Sequence, residues 1–104
     1  MEEEYCQALL KCGDRYREML KQYIDDNDYW GWSQQKTTST ESRNLNSFLT
    51  EFIVGCNNRM PLMKLNRWLG YIQGSLIQWE VTTVQAERDW TRPLFRHLDF
   101  PDKQ

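Results

Sequence analysis

The chain has 104 residues, a formal net charge of −2, 27% charged residues and 13% aromatic residues, five of them tryptophan. That length bounds one domain with a modest core, and the aromatic content excludes a disordered chain. No apolar run approaches the roughly 20 residues that cross a bilayer, so no membrane span is expected. The opening Met-Glu-Glu-Glu is the reverse of a positively charged secretory start, which predicts a cytoplasmic protein.

Glu2 to about Ile24 reads as a first helix. Tyr5, Leu9, Cys12, Tyr16, Leu20 and Tyr23 recur at steps of three and four, with Lys11, Arg15, Glu18 and Lys21 on the other side. Glutamates at positions 2 to 4 suit the positive end of the helix dipole, while Gly13 weakens the middle. A stripe with three tyrosines suits a domain rim or an oligomer interface. Asp25-Asp26-Asn27-Asp28 opposes the dipole at a C-terminus and predicts the stop there. Trp30 and Trp32 flank Gly31, and either fold back on the core or stand out as an anchor for a protein partner. Residues 33–42 read as a mobile polar loop.

Thr38 with Glu41 has capping-box spacing and competes with Ser39 and Ser42 to open a second helix. Leu45, Phe48, Leu49, Phe52, Ile53 and Cys56 give that helix, about 43–58, a broad apolar face, and Pro61 follows the break. A third helix, about 63–80, carries Leu65, Trp68, Leu69, Ile72, Leu76 and Trp79 on one side. Its Gly70 and Gly74 share a face that serves either tight helix packing or a groove where a ligand nears the backbone. The short connection predicts an antiparallel hairpin, with Phe48, Phe52 and Ile53 meeting Leu65, Leu69 and Ile72. Thr82 and Gln85 cap a fourth helix, roughly Thr83 to Thr91, with Glu87, Arg88 and Arg92 outward and Val84 and Trp90 as its larger apolar residues. Pro93 ends or kinks it, and Leu94, Phe95, Leu98 and Phe100 form an apolar tail across the hairpin. The expected fold is all-α: one domain over 1–104, a small bundle of about four helices with that hairpin as its core.

No catalytic constellation is present, so a non-enzymatic protein is expected. Cys6, Cys12 and Cys56 form no CxxC pair and His97 is the single histidine, which offers no metal site and implies no cofactor. Eight acids and four bases in 1–28 give −4, while six bases and three acids in 59–98 give +3. That basic balance is too weak for direct nucleic-acid binding to be expected. Arg59, Lys64, Arg67, Gln73, Arg88, Arg92 and Arg96 form a cationic and polar set. It either converges with Trp68 or Tyr71 on an anion, or is neutralised by Glu80, Glu87 and Asp89.

Lys-Leu-Asn-Arg-Trp-Leu-Gly-Tyr-Ile-Gln-Gly at 64–74 and Thr-Thr-Val-Gln-Ala-Glu-Arg-Asp-Trp-Thr-Arg-Pro-Leu-Phe at 82–95 resemble short accessory proteins of tailed bacteriophages of enterobacteria. The resemblance is limited to about residues 64–95. It implies action in the host bacterial cytoplasm, by binding and disabling a host or defence protein. The expected partner contacts are Trp30, Trp32, Arg67, Tyr71, Arg88 and Arg92. A different class of function is sequestration of a small anionic ligand, such as a nucleotide signal, by Arg67, Arg88, Arg92 and an aromatic. A homo-oligomer is expected from the tyrosine stripe and the Gly70/Gly74 pair.

Overall fold

Tyr5, Leu9, Cys12, Tyr16 and Leu20 recur with helical period, and the helix they form is longer than its acidic stretch predicts. The computed structural model describes residues 2–100, in which α1 (Glu2–Trp30), α2 (Ser39–Asn57), α3 (Leu62–Gln78) and α4 (Val84–Asp99) are the helices. No strand occurs among the described residues. At the α-helical rise α1 is about 43 Å long. The expected stop at Asp25–Asp28 is corrected: those residues are helical. Their side chains are occupied in ways that sequence order hides. Gln22 donates to Asp26 one turn on (2.8 Å), and the Asn27 amide donates to the Tyr23 carbonyl (2.8 Å). Asp28 accepts from the Trp32 indole (2.9 Å) and pairs with Arg43 of α2; the indole bond first, and then Arg43, hold its carboxyl below the usual range. The helix ends at Gly31, whose φ of 106° most side chains resist.

The polar loop is shorter than expected, because Ser39–Ser42 already belong to α2. Thr38 and Glu41 exchange both bonds of a capping box, which decides between the competing caps. Inside the loop Thr37 is buried and Lys36 reaches Glu80 at 3.3 Å. Both α2 and α3 end in a Schellman motif. Met60 N–H bonds to the Gly55 carbonyl and Val81 N–H to the Leu76 carbonyl, with Arg59 (φ 56°) and Glu80 (φ 61°) in the left-handed region.

The antiparallel α2–α3 hairpin forms and α1 completes its core. Leu9, Cys12, Tyr16 and Leu20 pack with Leu45, Leu49, Phe52, Ile53 and Cys56, and with Leu65, Leu69, Ile72 and Leu76. Gly13, expected as a weak point, lies where α2 comes close to the α1 backbone: a Cβ there would lie 2.8 Å from Ile53. Phe48 and Trp68 are half-buried at the α2–α3 seam, their rings 5.3 Å apart.

Gly70 and Gly74 do not serve tight helix packing within the chain. A Cβ on either finds nothing within 4 Å, so both face open space. The fourth helix also differs, running through Pro93 to Asp99, with Thr83 rather than Thr82 as its cap. Leu94, Phe95 and Leu98 therefore form a helical face packed on the core instead of a tail across the hairpin, and Phe100 is exposed. Proline removes the N–H that would bond one turn back, to Asp89, and Asp89 lies at an exposed turn. The new face offsets that loss. Tyr16 meets Glu87 and Tyr5 meets Asp99, so α4 lies antiparallel on α1.

Candidate functional site

Residues of α4 divide by its 3.6 period into a buried side and an arginine side. Glu87, Trp90, Leu94 and Leu98 turn inward, while Arg88, Arg92 and Arg96 recur once per turn on an exposed flank. Glu87 was expected on the outer side and is instead 4% exposed. Its carboxylate accepts from Tyr16 Oη (2.5 Å), Thr82 Oγ1 (2.5 Å) and Arg15 Nη2 (3.0 Å). Burial alone would raise its pKa, but bonds from Arg15, Thr82 and Tyr16 outweigh burial and hold it below the ordinary value. Tyr16 is pushed well above the ordinary phenol value, first by burial and then by its bond to Glu87. Arg15 also lies over the Trp90 ring, 4.7 Å from its centre. This network fixes the rotation of α4 and so decides what its arginines face.

They face α3 across a cleft of about 710 Å³. Leu69 lies at its base, Asn66 and Gln73 come from α3, and Arg88, Arg92, Phe95 and Arg96 form the α4 wall. Tyr5 and Asp99 close one end; the phenol donates to the carboxylate, and that bond, with some burial, pushes the Tyr5 pKa up to about 12. Gln73 ties the cleft to the interior by donating to Tyr16 Oη at 2.8 Å.

Of the two alternatives for these arginines, ion pairing with Glu80, Glu87 and Asp89 is not seen among the described residues. Glu80 pairs with Lys36, Glu87 with Arg15, and Asp89 accepts from Gln85 at 2.8 Å. Asp99, within the cleft, is engaged by Tyr5. The side chains of Arg88, Arg92 and Arg96 form no hydrogen bond or ion pair among the described residues. Arginines spaced this way, with no ion pair among the described residues, have the geometry to receive anions from outside the chain, and Asp99 is the one acid that shares the cleft lining with them.

The predicted contact residues fall in separate places. Arg88 and Arg92 line the cleft, joined by Arg96, which continues their spacing. Arg67 is exposed on α3 away from the lining, and Tyr71, 59% exposed, packs edge-on against Phe48 at 5.0 Å. Trp30 is 80% exposed at the far end of α1 beside Tyr29, their rings 4.8 Å apart. Trp32 folds back edge-on against Tyr23, 5.7 Å away. Tyr5, Asn66 and Phe95 escaped the sequence reading as site residues. Only the antiparallel placement of α4 on α1 brings Tyr5 and Phe95 together, at 6.3 Å.

Burial, then the nearby Glu87 and Cys56 charges, push the Cys12 thiol up to about 12, and burial above all pushes Cys56 up to about 11. Neither is a thiolate nucleophile at neutral pH. Among the described residues no group of three or more His, Cys, Asp or Glu side chains is placed to hold a metal ion, and no helix is long and apolar enough to cross a membrane. No protein-family model matches the chain, and no similar curated protein or solved structure was found. The reading of the cleft therefore rests on its own geometry.

Proposed function

We propose that this chain is a non-enzymatic binding protein that recognises an anionic surface of a partner protein in the α3–α4 cleft. In the setting implied by its resemblance to phage accessory proteins, the partner is a host or defence protein that it inhibits by direct contact. The observation that carries this reading is the row Arg88, Arg92 and Arg96 along one cleft wall, whose side chains have no ion pair among the described residues. Like charges one turn apart destabilise a helix by about 0.2–0.5 kcal/mol per pair. A bound anion replaces that repulsion with charge-assisted hydrogen bonds.

A small anionic ligand, such as a nucleotide signal, is the second reading. The cleft volume of about 710 Å³ favours it, because ligand pockets commonly run from roughly 300 to 1,000 Å³. The amides of Asn66 and Gln73 across from the arginines would orient such a ligand.

One pair of variants separates the two. Trp30 lies about 37 Å along α1 from Tyr5, too far for a small ligand to touch both. In affinity capture from host lysate, a protein partner is weakened both by Arg88→Glu/Arg92→Glu/Arg96→Glu and by Trp30→Ala. A small ligand, measured by the rise in melting temperature it confers, is lost only with the arginine variant. Failure to recover any stoichiometric partner, together with no thermal shift for any nucleotide, refutes both.

A further inference from the structure

We infer that the cleft's occupant is an acidic amphipathic helix of the partner, docked between α3 and α4 as an added helix of the bundle. This inference rests on the anionic-partner reading above and specifies the shape of the anion. The arginines do not converge on a point. They stand one per turn over three successive turns, about 6 Å apart and about 12 Å from first to last. A single phosphate meets one such group, whereas a second helix with carboxylates at i, i+4 and i+8 repeats the same spacing and meets all three.

The surroundings also suit a helix. α3 packs on α1 and α2, and α4 packs on α1, but α3 and α4 make little direct contact. The seam between them has an apolar base in Leu69, with Phe95 half-buried on one wall and Phe100 56% exposed at one end. From Arg88 to Asp99 the α4 wall is about 16 Å long, which matches about three turns of an added helix. Exposed ion pairs are individually weak, so three in register over an apolar base are needed for useful affinity.

The test uses the full chain and a labelled helical peptide of about 14 residues, roughly four turns. Its glutamates lie at i, i+4 and i+8, with leucines at i+1 and i+5. Fluorescence anisotropy compares it with a shuffled peptide whose glutamates surround the helix, with a proline-interrupted version, and with inorganic tripolyphosphate as competitor. The ordered peptide binds at least about tenfold more tightly than either control, and Arg92→Glu weakens it about tenfold. Replacing the peptide's central glutamate by lysine restores binding to that variant, and circular dichroism verifies that Arg92→Glu is folded. Equal binding of all three peptides overturns the helix inference and leaves the anionic-partner reading standing. Arg92-dependent tripolyphosphate binding without peptide binding overturns it in favour of a small ligand. No binding of any of these anions refutes the reading beneath it.

Discussion

Glu87→Gln is the sharpest test of how the cleft is held. The two carboxylate oxygens accept from Arg15, Tyr16 and Thr82 together, at 2.5 to 3.4 Å. An amide of the same shape presents one oxygen and one NH2 group, and either orientation sets an N–H against the Arg15 guanidinium. Hydrogen bonds to a charged group contribute about 1.5–3 kcal/mol each, and removing one partner of a buried pair costs about 3–5 kcal/mol. Arg15 keeps 26% of its side-chain surface in water, so it rehydrates in part and the loss falls near 3 kcal/mol. For a domain of this size that lowers the melting temperature by roughly 10–20 °C, followed by circular dichroism at pH 7. Because the folded-state pKa of Glu87 is depressed, its contribution is fully present above the ordinary carboxylate range and disappears as pH falls through the folded value. The gap between the two proteins therefore narrows in acid. A loss below about 0.5 kcal/mol at pH 7, or a gap independent of pH, refutes the account of the network.

Glycine substitutions test the helix environments with opposite signs. Gly70→Ala and Gly74→Ala each stabilise by about 0.5–1 kcal/mol in urea unfolding, since the added methyl meets open space; destabilisation of either shows that something covers that face. Gly13→Ala destabilises by about 1 kcal/mol despite better helix propensity, because the methyl meets Ile53 at 2.8 Å, and an Ile53→Ala background removes that penalty. Glu80→Gly relieves the left-handed backbone at the end of α3 and stabilises by about 0.5 kcal/mol, less the weak exposed pair with Lys36. Tyr16, with its pKa raised from 10.0, contributes stability that is present below pH 10 and is lost as pH rises further. In an alkaline titration its tyrosinate absorbance therefore appears only as the protein unfolds, and ionisation of Tyr16 while the helices remain intact by circular dichroism refutes its burial.

Local patterns were legible in the sequence. Leu9, Cys12, Tyr16 and Leu20 were read from helical spacing as an inward stripe, and they are buried, because one apolar face per helix must leave water whatever it packs against. Thr38 and Glu41 form their predicted box because both groups lie within one turn. The Arg88–Arg92 spacing is a local property too, and Arg96 extends it.

Tertiary structure decided whatever depended on partners distant in the chain. Arg43 of α2 reaches Asp28 and α1 continues past its acids; no rule confined to residues 25–28 contains that partner. Arg15 and Tyr16 convert Glu87 from an expected surface acid into the buried anchor of α4, across more than 70 positions of sequence. That same anchoring removes Glu87 as a neighbour for Arg88 and Arg92 and turns both toward α3. The sequence by itself therefore determined which side chains form the helical faces, through spacing. Only packing decided which charges are paired inside the chain and which stand exposed, because electrostatic pairing follows distance in space and not separation along the chain.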